Sequence, residues 1–188
     1  STVAIRLPTI NIPGGWATSK SVTITYPNVS IKQYSLDGGN TWNNYTGAIT
    51  FTTNGSIIAR ASDGTNTVRS TGNVSGIDTE GPTYTGYEIK NVTATGYDVY
   101  IYGVSDSGSG MNRVQFPTWT ENNGQDDIQS SWQTNPLATG TNQGNGTWYY
   151  RVNVTDHNNE SGTYNTHIYL YDNLGNASST ATSGANVP

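Results

Sequence analysis

Cysteine is absent from the 188 residues, which excludes a disulfide framework, cysteine-ligated zinc and thiol chemistry. Charge is also scarce: 8 Lys and Arg stand against 13 Asp and Glu, for a formal net charge of -5 at pH 7. So few basic residues cannot neutralise a phosphate backbone, and nucleic acid is set aside as a partner. No run approaches the roughly 18 apolar residues that cross a bilayer, so membrane insertion is not expected. Ser1 to Ile12 lacks the charged start and continuous apolar core of a signal peptide, so the chain reads as a mature or excised piece. Helix formers such as Leu, Lys and Glu are few. What is present is Thr, Asn, Ser, 22 Gly, 13 Tyr and 5 Trp, a mixture that suits pleated, half-buried surfaces and an all-β fold.

The length allows one large β domain or two small ones. The break falls at Asp78-Thr79-Glu80-Gly81-Pro82-Thr83, where Pro82 forces its predecessor out of the helical region and stiffens a short connector. Two tandem immunoglobulin-like antiparallel β-sandwiches are expected, over 1–81 and 82–188. In the first, strands are predicted at Val3 to Leu7, Ser21 to Tyr26, Ile31 to Leu36, Ala48 to Thr52 and Ser56 to Ala61. Turns at Pro13-Gly14-Gly15, Asp37 to Asn40, Asn54-Gly55 and Asp63-Gly64 separate them. In the second, strands are predicted at Thr83 to Lys90, Tyr97 to Val104, Arg113 to Trp119, Trp148 to Val154 and Tyr164 to Asp172. Tyr97, Val99, Ile101 and Gly103 share one face there, and Asp98, Tyr100 and Tyr102 the other. The polar stretch from Glu121 to Gly146 is the expected functional loop.

The second module resembles the GBS Bsp-like repeat family. The resemblance rests on Tyr97-Asp98-Val99-Tyr100, Val104-Ser105-Asp106 and the run from Phe116 to Ile128 (FPTWTENNGQDDI). It continues through His157, Gly162-Thr163-Tyr164, His167-Ile168-Tyr169 and Asp172-Asn173-Leu174-Gly175. Gln129 to Gly146 is longer than the family pattern leads one to expect. The first module is similar to bacterial Ig-like repeats with a Tyr-Ser-Leu-Asp-Gly-Gly-x-Thr-Trp core, here Tyr34 to Trp42, and a closing Ala59-Arg60-Ala61-x-Asp63-Gly64. These resemblances imply a module of a Gram-positive cell-wall hydrolase or surface protein, at the cell wall or cell surface, with catalysis in other domains.

The chemistry-bearing residues point the same way. Glu121, Asp126 and Asp127 form the one acid cluster that invites comparison with a glycosidase, which needs carboxylates about 5 to 9.5 Å apart across a sugar cleft. Capping of backbone donors after Trp119 is the expected role for these side chains. His157 and His167 fit no metal-ligand spacing, and both are expected as partly buried rings bonded to backbone. No cofactor is expected. Calcium is the one ion that Asp78, Glu80, Asp106 and Asp172 would suit at the domain junction, although no EF-hand spacing supports it. Lys90 with Asn173 or Asn176 has the residue types of an isopeptide bond, but no third acid can be named. Neither histidine stands in a Ser-His-Asp context, so no enzyme is expected.

Recognition falls to aromatic and amide side chains: Trp132, Trp119, Glu121, Asn123, Gln125 and Asp126 combine flat apolar faces with groups that bond sugar hydroxyls. Trp132 is expected to be the most exposed tryptophan, whereas Trp42, Trp119 and Trp148 are expected in sandwich cores. The leading expectation is a monomeric cell-wall-binding or positioning segment, with glycan or peptidoglycan as partner. Its rivals are a stalk that sets distance and an adhesin that binds host glycan or protein.

Overall fold

The computed structural model describes residues 4–188. Its chain forms two compact units, the first ending at Thr79 and the second running Glu80–Pro188.

The first unit contains seven strands: β1 (Thr9–Asn11), β2 (Lys20–Thr25), β3 (Ile31–Ser35), β4 (Asn43–Asn44), β5 (Ile49–Phe51), β6 (Gly55–Ser62) and β7 (Thr67–Val74). They pair as a three-stranded sheet, β1-β2-β5, and a four-stranded sheet, β4-β3-β6-β7. Period-two alternation turns Val22, Ile24, Ile49, Phe51, Ile57 and Ala59 inward, where they pack with Val74 and Ile77. Fully burying such a side chain contributes roughly 1.5–3 kcal/mol, so this mostly aliphatic cluster holds the two sheets together.

Several expectations change here. Of the predicted strand Val3 to Leu7, Val3 lies outside the described residues, and Ala4 to Leu7 are not in a strand. The edge strand begins at Thr9 instead, one residue past Pro8, which has no N–H to donate. Strand β7 escapes a hydrophobicity reading because two of its four inward positions, between Val68 and Val74, are Ser70 and Gly72. A Cβ at Gly72 would stand 2.9 Å from Ile12 and 3.2 Å from Ile10, so the bulk at this position comes from the first strand's isoleucines. Trp42 is not a core tryptophan. It lies half-buried, with the Arg60 and Arg69 guanidinium carbons 4.1 and 5.0 Å from its ring centroid. The most exposed large aromatic is Trp16, at 48%, rather than Trp132.

The second unit contains β8 (Gly86–Thr93), β9 (Gly96–Tyr102), β10 (Met111–Gln115), β11 (Thr118–Thr120), β12 (Thr141–Gly144), β13 (Thr147–Asn153), β14 (Gly162–Asp172), β15 (Ala177–Ala181) and β16 (Ala185–Val187). One sheet runs β12-β13-β9-β8. In the other, the eleven-residue β14 pairs with β10 and β11 along one edge and with β15 and β16 along the opposite edge. Both units are therefore all-β, immunoglobulin-like sandwiches built from antiparallel ladders.

The core of this unit is larger and more aromatic. Tyr97, Val99, Ile101, Trp148 and Tyr150 from one sheet meet Val114, Phe116, Tyr164, Ile168 and Leu170 from the other. The Phe116 and Tyr150 rings stack with centroids 5.0 Å apart and planes 9° from parallel. Trp148 is thus the one predicted core tryptophan that lies in a core. The predicted strand Arg113 to Trp119 is interrupted at Phe116-Pro117, because proline cannot donate to the ladder. Phe116 N–H donates instead to Ala138 O at 2.6 Å, and Pro117 O accepts from His167 N at 3.0 Å. Gly96 turns β8 into β9 at φ 134°, and a Cβ there would lie 1.8 Å from Val152 O, so only glycine fits.

Candidate functional site

The site grows from the pleat of β11 and β14. Thr118 pairs with Thr166, Trp119 with Asn165 and Thr120 with Tyr164. Thr118, Thr120, Tyr164, Thr166 and Ile168 point into the core, which sends Trp119, His167 and Tyr169 to the outer face. Beneath them, Thr166 Oγ1 bonds both Tyr97 Oη at 2.7 Å and Thr118 Oγ1 at 2.9 Å. These buried hydroxyls are mutually satisfied and hold the floor of the site in one register.

On that floor the rings of Trp119 and His167 meet edge to face at 4.9 Å and 77°. Trp132, arriving from the loop that follows β11, covers Tyr169 at 4.5 Å and 47°. Between the two aromatic pairs lies a cavity of about 190 Å³, lined also by Pro117, Gln125 and Ile128. No residue lining it carries a formal carboxylate, ammonium or guanidinium group. Farther along β14, the Arg113 guanidinium lies 4.1 Å from the Tyr171 ring centroid.

The loop that closes the cavity is fixed from within. The Asp127 side chain is fully buried; its carboxylate accepts from Thr120 N at 3.2 and 3.1 Å and bonds His157 Nδ1 at 2.9 Å. His157 is carried by the 3₁₀ turn Val154–Asp156, to which its own N–H returns at 2.9 Å. The second edge is anchored by Thr120 Oγ1 donating to Glu160 Oε2, while Tyr164 Oη donates to Glu160 O at 2.7 Å. Burial, reinforced by the nearby Asp127 and Glu160 carboxylates, pushes the Tyr164 phenol up to about 12 and keeps it a neutral donor. Farther on, Gln115 Nε2 donates to Trp132 O, and Arg113 Nε to Gln133 O at 2.9 Å. Asn135 then caps the 3₁₀ turn Pro136–Ala138 by accepting from Leu137 N at 2.9 Å. Trp132 is therefore presented by a loop whose backbone is tied down on both sides.

Three of the six residues singled out from sequence, Trp119, Gln125 and Trp132, line the cavity. The other three lie on the exposed arc of the same loop. Glu121 Oε1 accepts from Asn165 Nδ2 at 3.4 Å, Asn123 turns the chain at φ 54°, and Asp126 faces solvent. The expected capping role for the acid cluster is found in Asp127. His157 is a correction, since it is completely buried and bonded to a carboxylate rather than to backbone through its ring. His167 is half-buried as expected, but its ring meets Trp119 as part of the cavity wall. His167, Tyr169, Pro117 and Ile128 were missed, although the alternation of Tyr164 to Asp172 places His167 and Tyr169 on one face. The side chains named for an isopeptide bond have other partners: Lys90 pairs with Glu88 at 2.9 Å, while Asn173 Nδ2 donates to Ser109 O and Asn176 Nδ2 to Asp172 Oδ2.

The family model of the GBS Bsp-like repeat matches residues 87–185, which takes in both sheets of the second unit and every residue lining the cavity. The chain belongs to the GBS Bsp-like repeat family. Repeats of this family occur in bacterial surface proteins, and among the described residues no helix is long and apolar enough to cross a membrane. No curated protein matches the chain. Among solved structures, a crystal structure of titin domains superposes with a TM-score of 0.54 at 9% identity, covering 96% of this chain. This chain spans 66% of that titin fragment, and at such identity the likeness shows the fold alone. The FN1 to FN3 domains of chicken CNTN1 give a TM-score of 0.38 at 13% identity, covering 95% of this chain and 67% of theirs.

Proposed function

We propose that this GBS Bsp-like chain is a non-catalytic cell-wall-binding and positioning segment of a larger Gram-positive cell-wall hydrolase or surface protein. In this proposal the aromatic cavity of the second unit receives one neutral sugar ring of the wall polymer. The observation that carries it is the cavity itself: two aromatic pairs face a space of about 190 Å³, about the scale of one pyranose. Indole and phenol faces stack on sugar C–H groups, while the Gln125 amide, His167 ring and Tyr169 hydroxyl suit its hydroxyl or acetamido groups. Glu121, Asn123 and Asp126 extend the polar rim along the same loop. Because Asp127 and His157 hold that loop in place, binding does not first have to order it, which limits the entropic cost.

Support for a binding role over a catalytic one comes from the acids. Asp127 is occupied by Thr120 N and His157, and Glu121 and Asp126 are solvated, so no pair of carboxylates flanks the cavity as glycoside hydrolysis requires. Retention of the chain on purified peptidoglycan tests the proposal. Retention should fall at least tenfold in Trp132→Ala and Trp119→Ala while the fold, followed by circular dichroism, persists. A chain that peptidoglycan never retains is a stalk, and one that binds a glycan array but not peptidoglycan is a host adhesin.

A further inference from the structure

The sequence carries its charge unevenly: residues 1–79 hold five Lys and Arg against three Asp, whereas 80–188 hold three against ten Asp and Glu. Within the first unit Lys20 is buried, its ammonium donating to Pro13 O at 2.9 Å and Gly15 O at 2.7 Å. Asp37 and Asp63 are occupied by donors of their own turns, Thr41 and Ser35 for the first, Thr65 and Asn66 for the second. Asp78 is buried. In the second unit Lys90 pairs with Glu88 and Arg151 with Asp98.

Against this background Arg60 and Arg69 stand directly opposite each other on β6 and β7, an arrangement of like charges that ordinarily destabilises a strand pair. Trp42 lies against both guanidinium groups and relieves part of the cost through cation–π attraction. Arg60 Nε and Nη2 both donate to Gln33 Oε1, at 2.8 and 2.5 Å, which fixes the plane of that guanidinium. Arg60 borders a groove of about 710 Å³ whose other walls include Gln33, Asn44, Ser62 and Thr67 together with Val29, Ile31 and Tyr45, and no acid lines it. Arg69, across from Arg60, is exposed.

We propose that this outer sheet face of the first unit is a binding site for an extended, anionic, hydroxyl-rich chain, one that carries phosphate or carboxylate groups on a sugar or polyol backbone. Guanidinium groups match such oxyanions as two-pronged donors. The amide and hydroxyl groups of Gln33, Asn44, Ser62 and Thr67 suit the hydroxyls of a polyol. The site is independent of the neutral-sugar cavity in the second unit, shares no residue with it, and stands or falls separately.

The test uses the whole 188-residue chain with four probes: an oligomer of glycerol phosphate, oligogalacturonate, poly-L-glutamate and neutral dextran, by calorimetry and by NMR of the arginine Nε and Trp42 indole resonances. Either or both of the first two should bind with an affinity that falls as salt rises and shift the Arg60, Arg69 and Trp42 signals; which of them binds tells phosphate from carboxylate. Arg69→Gln, an exposed change, should lower that affinity about tenfold, the scale of one lost charged hydrogen bond, and leave retention by peptidoglycan through Trp132 unchanged. Binding by neither anionic glycan, equal or tighter binding of poly-L-glutamate, equal binding of dextran, or affinity indifferent to Arg69→Gln would each overturn the proposal.

Discussion

The two units solve the same problem with different materials. The first closes its sheets over a small aliphatic cluster and keeps its tryptophans out of it, Trp16 exposed and Trp42 half-buried against Arg60 and Arg69. The second packs Tyr97, Phe116, Trp148, Tyr150 and Tyr164 into its core. It also buries a polar pair, Asp127 and His157, beneath a loop that the first unit has no counterpart for. The first unit is held chiefly by its apolar cluster, with Lys20, among the described residues its one buried cation, bonded to Pro13 O and Gly15 O. The second carries in addition the polar scaffolding needed to hold a long, glycine- and asparagine-rich loop in a single conformation, and this is where the cavity forms.

The largest effect that would separate the units comes from that scaffolding. Asp127→Ala leaves His157 buried without its partner and Thr120 N without an acceptor, and should destabilise the second unit by about 4 kcal/mol. Urea unfolding followed by hydrogen exchange should show the loss in residues 80–188 and none in the first unit. Replacing both members, as Asp127→Leu with His157→Leu, should recover much of the stability but not the retention on peptidoglycan, because the loop would keep its packing and lose its register. Equal stability of Asp127→Ala and the unsubstituted chain would remove the distinction drawn between the units.

In the first unit the corresponding break is apolar. Ile57 is wholly buried in its cluster, and Ile57→Ala should cost about 3 kcal/mol, read by the same exchange measurement as a loss confined to residues 4–79. Alkali should divide the units in a graded way. Burial raises the Tyr97, Tyr150 and Tyr164 phenols, Tyr164 to about 12, and in the first unit it raises Tyr26, also to about 12. A tyrosine ordinarily ionises near 10. The contribution of these neutral phenols is therefore complete below about pH 10. It declines as pH rises toward their folded values, because the unfolded chain releases its protons first. Stability measured between pH 9 and 12 should thus fall more steeply for the second unit. The smallest expected effect is Trp42→Leu, which removes the cation–π partner of Arg60 and Arg69 and should cost the first unit about 1 kcal/mol.

Much of this was legible in the residues. The alternation of Tyr97, Val99 and Ile101 gave the inward face of β9 directly, and the run from Phe116 to Ile128 carried the family resemblance and four cavity residues, Pro117, Trp119, Gln125 and Ile128. Strands β7 and β15 were not legible, since Ser70, Gly72 and the small residues of Ala177 to Ala181 have no hydrophobic period of their own. Their strand character comes from the neighbours they bond. The break at Pro117 is present in the sequence, but the aromatics on either side of it carry the pattern of one continuous strand.

By itself the sequence determined the fold class, the two-module grammar and the aromatic chemistry available for recognition, because period-two patterning, turn residues and composition are local properties. The tertiary structure alone decided which aromatics became core and which became surface. Trp148 and Trp119 occupy similar positions in strand patterns, but only pairing with β14 and cover by the distant Trp132 loop turn Trp119 into a cavity wall. It also decided that Asp127 and His157, 30 residues apart, meet in the dark of the core. Such encounters depend on strand register and on how a loop folds back, and those are set by the sum of contacts across the unit rather than by any one segment.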